Sequence, residues 1–176
     1  ATVQGVLDDV KKHGDQAVKR YEEMFDHAHL DSLAVTEAEI EEAEQLVSQE
    51  LKDALHLAHH NIAAFHQSQK FEGEKVETCP GVTCWQKSVA IQKVGLYIPG
   101  GTAPLFSTVL MLATPAKIAG CEEIVLCTPP NQEGKVNPAI LMAAKIAGVS
   151  KIFKAGGVQA IGAMAYGTES VPKVYK

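Results

Sequence analysis

Residues 94–112, VGLYIPGGTAPLFSTVLML, have the pattern of a β-strand, a glycine turn and the start of a helix. From Gly95 the spacing is G-x-x-x-x-G-G-T, which departs from the P-loop pattern G-x-x-x-x-G-K-[ST] only at the lysine. That position holds Gly101, so the cation that would neutralise a triphosphate is missing. The turn also lacks the G-x-G-x-x-G spacing of the usual pyrophosphate-binding turn. The stretch therefore predicts a strand–turn–helix unit with an unorthodox ligand loop.

The alternation of strand, turn and helix continues to the end of the chain. The pentapeptide AKIAG occurs at 116–120 and again at 144–148, and each copy leads into a β-rich run. The distance along the chain from the first copy to the second matches the length of one βα unit. It predicts strands near 94–98, 123–128 and 151–155, each followed by a helix. Such an alternation is typical of a parallel, Rossmann-like sheet flanked by helices.

Local signals support the helix boundaries in this half. Gly120 and Gly148 end two helices with a residue that tolerates the left-handed conformation. Asn137-Pro138 offers an N-cap followed by proline at the first helical position.

The first half of the chain has a helical period. A broken apolar stripe is interrupted around Gly14-Asp15, where Asp15 could restart the helix as an N-cap. The segment Thr36–Glu39 has the spacing of a capping box, in which the two side chains satisfy backbone N–H groups reciprocally. A third helix is expected from near Ser48. The stripe of the first helix comprises Val6, Val10, Ala17, Val18, Tyr21, Met24 and Phe25, and that of the third Leu51, Leu55, Ala58, Ile62 and Phe65.

Between the two halves, VETCPGVTCWQKSVA (76–90) has β-rich runs on either side of Pro80-Gly81, which predicts a short hairpin. The expected fold is therefore α/β. Residues 1–93 form an N-terminal helical segment with a short β-hairpin, and residues 94–176 form an incomplete Rossmann-like parallel sheet with flanking helices.

Composition restricts the class of protein. With 46% hydrophobic and 21% charged residues, the chain is typical of a globular protein. It has no apolar run of the ~20 residues that a membrane span needs and no signal pattern, so we expect a cytoplasmic protein without membrane contact. Its one arginine, Arg20, argues against a nucleic-acid surface. Cys79, Cys84, Cys121 and Cys127 form no C-x-x-C pair and are expected to be free, mostly buried thiols.

Charge is divided unevenly along the chain. Residues 1–77 carry 17 acidic and 7 basic side chains, whereas residues 78–176 carry 4 acidic and 9 basic ones. The basic half could favour an anionic ligand. Equally, its lysines could solvate outer helix faces.

In a sheet of this kind, ligands lie beyond the carboxyl ends of the strands. Those ends are the turns at 99–104, 128–130 and 155–159, where helix N-termini favour negative charge. Tyr97 falls late in the first strand and, by alternation, faces either the crevice or the core. Gln159 lies near a helix start, where its amide could meet a ribose or phosphate or simply face solvent.

Four histidines share one predicted helix: His56, His59, His60 and His66. The first and third are four residues apart, a spacing that can chelate a metal. No carboxylate or cysteine accompanies them at ligand spacing, so a polar flank beside the apolar stripe is the preferred interpretation. No Ser-His-Asp order or G-x-S-x-G nucleophile motif is present either.

Two long motifs add a resemblance. Residues 94–130, VGLYIPGGTAPLFSTVLMLATPAKIAGCEEIVLCTPP, together with 155–174, AGGVQAIGAMAYGTESVPKV, closely resemble the L-histidinol dehydrogenase family. The helical half, from VKKHGDQAVKRYEEMFD to NIAAFHQSQ, is similar to the N-terminal region of the same family.

The resemblance implies an NAD-dependent, zinc-containing homodimer. This family oxidises L-histidinol through the aldehyde to L-histidine, the last two steps of histidine biosynthesis. Tyr97 in GLYIPGG and Gln159 in GGVQAI match positions that contact NAD in the family. With Pro99 and Gly100 of the first turn, they make up the predicted cofactor-binding set.

The resemblance covers the whole chain but less than half of the family's usual length. A further NAD contact, an asparagine in a G-P-G-N turn, would follow Lys176. The zinc ligands (a glutamine, two histidines and an aspartate) and the catalytic glutamate–histidine pair would lie further on. We therefore predict no catalytic and no metal-binding residue in this chain, which alone should be inactive. The ending ESVPKVYK predicts the start of a further strand. The alternative is a non-redox α/β module that binds a nucleotide or phosphosugar.

Overall fold

The computed structural model describes residues 2–101 and 103–176, and it confirms the α/β fold class. Thr102, the threonine of the P-loop-like pattern, lies outside the described residues. In chain order, the elements are α1 (Val3–Asp26), α2 (Glu37–Leu46), α3 (Gln49–Ser68), β1 (Val76–Cys79), β2 (Val82–Cys84), β3 (Lys93–Tyr97), α4 (Phe106–Ile118), β4 (Glu123–Thr128), α5 (Pro138–Ala147), β5 (Lys151–Lys154) and α6 (Gly157–Tyr166).

The second half forms a parallel sheet in the order β3-β4-β5. Tyr97 at the end of β3 is level with Cys127 of β4, and Cys127 is in turn level with Phe153 of β5. A helix follows each strand, as the repeat predicts, and the strand bounds agree with the sequence to within a residue. The three carboxyl ends therefore meet at one edge of the molecule.

Alternating strand residues face two separate cores. One side contributes Val94, Leu96, Ile124, Leu126 and Ile152, which pack with α2, α3, α4 and α5. The other side contributes Val125, Cys127 and Phe153, which pack with α1 and α6. Because β4 is covered on both faces, its run EIVLCT is almost continuously apolar rather than alternating.

The helical first half begins and ends where the capping signals predict. Thr36 and Glu39 form the complete capping box, and Ser48 caps α3. At Gly14, with φ 54° and ψ −134°, α1 consists of two helical stretches joined across a kink, where the interrupted stripe predicts a break. The apolar stripes are less buried than predicted, because Met24, Phe25 and Phe65 are exposed.

The predicted hairpin is present as β1 and β2, an antiparallel pair joined through Pro80-Gly81. It stands apart from both cores, and every residue of its two strands is exposed. Consequently, the prediction of mostly buried cysteines is half wrong. All four thiols are free, but Cys79 and Cys84 lie on the exposed hairpin, and Cys121 and Cys127 are buried.

Backbone hydrogen bonds continue beyond both edges of the sheet. Residues 33–35 lie along β5, with Val35 N donating to Ile152 O at 2.9 Å and Lys154 N donating to Leu33 O at 2.7 Å. On the other side, Tyr175 N donates to Lys93 O and Gly95 N donates to Lys176 O, at 2.9 and 2.8 Å.

The chain therefore changes direction at β3. α4 and α5 cover one face of the sheet, and α6 returns across the other face to bring residues 175–176 beside β3. The carboxyl end of β3 is thus a topological switch point, where open α/β sheets form their ligand crevice. Among the described residues, no helix is both long and apolar enough to cross a membrane.

Candidate functional site

A cavity of about 950 Å³ opens at the switch point. It is bordered by the ends of β3 and β4, the starts of α4, α5 and α6, and parts of α1 and α2. The four residues predicted to bind the cofactor all line it: Tyr97, Pro99, Gly100 and Gln159. The structure thus brings together side chains that are up to 62 positions apart in the sequence.

Gln159 is not the solvent-facing glutamine of the simplest interpretation, since only 1% of it is exposed. Its Nε2 donates a hydrogen bond to Oε1 of Glu22, a residue of α1, at 2.9 Å. The same carboxylate oxygen accepts a second bond from Gly156 N at 2.8 Å. The Oε1 of Gln159 makes no hydrogen bond to any described residue.

Tyr97 is half-buried and faces both the core and the crevice, the two alternatives that strand alternation allows. Its ring packs beside the core formed by α1 and α6, and its side chain also lines the cavity. The hydroxyl oxygen accepts a hydrogen bond from Gly157 N at 3.0 Å. Tyr97 therefore connects the end of β3 to the start of α6.

The glycines of the two flanking turns pack against Pro129, at the end of β4. A Cβ on Gly100 would come within 2.5 Å of Pro129 Cγ, and one on Gly156 within 2.8 Å of Pro129 Cβ. Both distances are shorter than real contacts allow. These glycines thus let three turns meet, in addition to bringing backbone close to the cavity.

The three helix N-termini differ in what they offer an anion. Asn137 caps α5 through Ala139 N at 2.9 Å. At α6, Gly156 N donates to Glu22 and Gly157 N donates to Tyr97, so two of its first N–H groups already have acceptors within the protein. At Leu105, which begins α4, no side chain of the described part of the chain provides a cap.

Glu22 is a carboxyl group with 0% exposure. Burial raises its pKa to about 7, and the negative charge of nearby Asp26 adds to this, against the hydrogen bonds from Gly156 and Gln159. Cys127 lies on the sheet face below; burial, followed by the Glu22 charge, raises the pKa of its thiol to about 12. Cys127 is thus a neutral packing residue and not a nucleophile.

Two acidic residues of the site, Glu22 and Asp26, belong to none of the motifs found in the sequence. Asp26 lines the cavity from the last turn of α1. Glu22 occurs within the apolar stripe of α1, four residues after Val18 and next to Tyr21. A glutamate on the buried face of an amphipathic helix was the available signal, because such a charge requires partners.

Ion pairs connect the basic second half of the chain to the acidic first half. Lys135, Lys145 and Lys154 of the basic half pair with glutamates of the acidic α2 at 2.6–2.9 Å. Two of these glutamates, Glu39 and Glu42, line the cavity together with Lys135. These three lysines are neutralised by α2 and do not make the cavity strongly basic, while Lys135 and Lys145 stay at least half exposed to solvent.

One of the four histidines on α3, His59, has a partner on a neighbouring helix. The Nδ1 of His59 lies 3.1 Å from Thr114 Oγ1 on α4, and burial, with the charges of His56 and His60, lowers the His59 pKa. Within residues 2–101 and 103–176, no group of three or more His, Cys, Asp or Glu side chains could hold a metal ion. The described residues therefore do not fit a zinc site.

Comparison with known proteins agrees with this architecture. The family described as histidinol dehydrogenase matches residues 1–176. Histidinol dehydrogenase of Bacteroides fragilis is 71% identical over 175 residues, which are 99% of this chain and 41% of that protein. The enzyme of Shigella dysenteriae is 52% identical over 99% of this chain and 39% of its own length.

A solved structure extends the likeness to three dimensions. The crystal structure of histidinol dehydrogenase from Elizabethkingia anophelis has a TM-score of 0.94 and 50% identity, covering 98% of this chain and 40% of that one. The chain thus spans about two fifths of the length of these relatives. With a family match over its whole length and a shared fold at high identity, the chain belongs to the histidinol dehydrogenase family.

Proposed function

We propose that this chain supplies the NAD-binding part of a histidinol dehydrogenase. The observation that supports the proposal best is the convergence of Tyr97, Pro99, Gly100 and Gln159 on one cavity at the switch point. The cavity volume, about 950 Å³, lies within the range of small-molecule and cofactor sites. In our proposal, residues 94–176 carry the cofactor contacts, and residues 1–93 support them through α1 and α2.

The site fits a dinucleotide in two further respects. The N-terminus of α4 opens beside Gly100 without a side-chain cap among the described residues, and a helix N-terminus favours a pyrophosphate. The buried, unpartnered Gln159 Oε1 is a vacant acceptor that a nucleotide hydroxyl or amino group would satisfy. We place the pyrophosphate near α4 and a donor group of the nucleotide near Gln159.

In our proposal, Tyr97, Pro99, Gly100 and Gln159 would hold NAD, which would supply the hydride acceptor for each of the two oxidation steps from L-histidinol through the aldehyde to L-histidine. The side chains described above bind and orient the cofactor. The zinc site and the catalytic glutamate–histidine pair implied by the resemblance are assigned to a segment that would follow Lys176. Homodimer formation and a cytoplasmic location stay predictions.

A titration of the 176-residue chain with NAD⁺, followed by two-dimensional NMR, tests the proposal. We expect weak, saturable shifts centred on the turns after β3 and β5, and their loss in Tyr97→Ala and Gln159→Ala. Tyr175→Ala is the matched control, because Tyr175 is 64% exposed and does not line the cavity.

The same titration distinguishes the proposed NAD site from the alternative function, a non-redox α/β module that binds a nucleotide or phosphosugar. Shifts produced by ribose 5-phosphate but not by NAD⁺ would favour a non-redox phosphosugar-binding function. Absence of shifts at millimolar NAD⁺ would contradict the proposed cofactor site in this chain.

A further inference from the structure

Glu22 and Gln159 form the one fully buried polar pair beside the cavity within the described residues, and they come from opposite ends of the chain. Glu22 lies in the last turns of α1, and Gln159 in the first turn of α6. We propose that Glu22 is the positioning residue for Gln159, holding its amide so that the oxygen, and not the nitrogen, is available to the ligand. This inference rests on the proposed NAD site.

The orientation of the amide follows from its partners. Oε1 of Glu22 accepts from Gly156 N at 2.8 Å and from Gln159 Nε2 at 2.9 Å. Rotating the amide by half a turn would place its oxygen at the same short distance from a carboxylate oxygen that is already an acceptor. Two acceptors facing each other in a buried site repel, so the nitrogen is held towards Glu22.

The other end of the amide is left without a partner. A Cβ built on Gly157 would come within 3.0 Å of Gln159 Oε1. A side chain at position 157 would therefore crowd this oxygen. Gly157 is exposed, has φ +53° and lines the cavity together with Gln159, so this buried oxygen lies beside a residue that borders the ligand space. A buried acceptor without a hydrogen bond favours any ligand that can donate to it.

This orientation selects the class of ligand group. An acceptor at Gln159 suits a hydroxyl of ribose or the amino hydrogens of a carboxamide or base, whereas an unprotonated phosphate oxygen has no hydrogen to offer. The arrangement therefore separates two roles in the cavity: donors of the nucleotide at Gln159 and phosphate oxygens elsewhere.

The surroundings of Glu22 make its buried carboxyl group unfavourable for the stability of the fold. Its Oε2 has no hydrogen bond to the described residues, and Asp26 brings a second carboxylate close to it. A buried carboxylate of this kind costs more than an apolar side chain of similar size. What Glu22 contributes in return is its hold on two groups, the amide of Gln159 and the start of α6.

A double-mutant cycle on the NAD⁺ dissociation constant of the 176-residue chain tests the inference. Glu22→Met keeps the volume and removes the acceptor; we expect about tenfold weaker binding, similar to that of Gln159→Ala. Because Glu22 acts through Gln159, the double variant should bind within about twofold of Gln159→Ala. Glu22→Gln, whose side-chain carbonyl can still accept both bonds, should bind within about threefold of the wild type.

Independent, multiplicative losses in the double variant would overturn the inference, because they would give Glu22 a role that does not pass through Gln159. Failure of the wild-type chain to bind NAD⁺ would instead remove the proposed function itself. In that case the inference is decided by a readout that needs no ligand.

That readout is the side-chain NH₂ resonances of Gln159, identified by their loss in Gln159→Ala. In the wild type, we expect them to shift with pH as the carboxyl group of Glu22 titrates. The other groups facing this carboxyl are Asp26 and Cys127, and Asp26→Asn distinguishes the first of them. Resonances that are the same in the wild type and in Glu22→Met across the pH range would show that Glu22 does not hold the amide.

Discussion

The ring of Pro129 occupies the space in which a side chain at Gly100 would stand, since a Cβ built there comes within 2.5 Å of Pro129 Cγ. The proline ring is rigid, so the conflict cannot be relieved by a rotamer change. The turn after β3 and the turn after β4 are therefore in direct contact where they line the cavity.

We expect Gly100→Ala to lower the free energy of unfolding by about 1–3 kcal/mol, the usual effect of overpacking a tight contact. Chemical denaturation monitored by circular dichroism measures it. Gly5→Ala is the control, because its nearest neighbour is Thr2 Oγ1 at 3.2 Å and alanine is favoured over glycine in a helix. Equal midpoints for Gly100→Ala and the wild type would contradict the packing argument.

Removing the hydroxyl group of Tyr97 should delete one hydrogen bond between β3 and the start of α6. Tyr97→Phe leaves Gly157 N without its acceptor at 3.0 Å, and we expect a loss of about 1 kcal/mol in stability. Tyr175→Phe, an exposed tyrosine, should change stability by less than about 0.5 kcal/mol. Thermal denaturation of both variants checks this prediction, and equal effects would show that the Tyr97 hydroxyl is not a structural link.

The buried carboxyl group of Glu22 predicts a pH dependence of stability with a definite sign. Its pKa in the folded chain is about 7, above its ordinary value of 4.5, so the folded state binds more protons between these values. The free energy of unfolding should therefore fall as the pH rises from 5 to 8, by at most about 3 kcal/mol. Glu22→Gln has no carboxyl group to titrate and should lack this fall.

A second group acts in the opposite sense within the same range. The pKa of His59 is lowered, so its contribution to stability increases as the pH rises towards 6.5. The difference between wild type and Glu22→Gln cancels this contribution, because both proteins retain His59. Parallel stability–pH curves for the two proteins, measured by urea denaturation, would contradict a raised pKa at Glu22.

The separation of cofactor contacts from catalytic groups predicts binding without turnover. The 176-residue chain should bind NAD⁺ and form no NADH when L-histidinol is added, since general base catalysis alone contributes ~10²–10⁴ in rate. Absorbance of NADH measures this, with a full-length relative as the positive control. Histidinol-dependent NADH production by the purified chain would contradict the assignment.

Periodicity and caps were sufficient to predict the fold where local signals decide it. The AKIAG repeat predicted β4 and β5, and Thr36, Ser48 and Asn137 began helices as their side chains indicate. Those signals involve neighbours within four residues. The exposure of Phe65 and of the hairpin cysteines was not predictable in this way, because burial depends on which surfaces meet.

The site was predictable only in part for the same reason. Strand ends and the resemblance indicated Tyr97 and Gln159, and both line the cavity. The carboxylate that holds Gln159 comes from a helix 137 residues earlier in the chain. No local pattern connects the two, and only the packing of α6 on α1 brings them together.

The segment at residues 33–35 has a consequence for how the sheet can associate. By occupying the backbone groups along β5, it closes that edge to strand addition by another molecule. Unsatisfied strand edges invite uncontrolled pairing. On the opposite side, residues 175–176 bond to the backbone of Lys93 and Gly95 in β3. Both outer strands of the sheet are therefore shielded by segments of the same chain, and a second molecule would have to displace one of these segments before it could add a strand directly to β3 or β5.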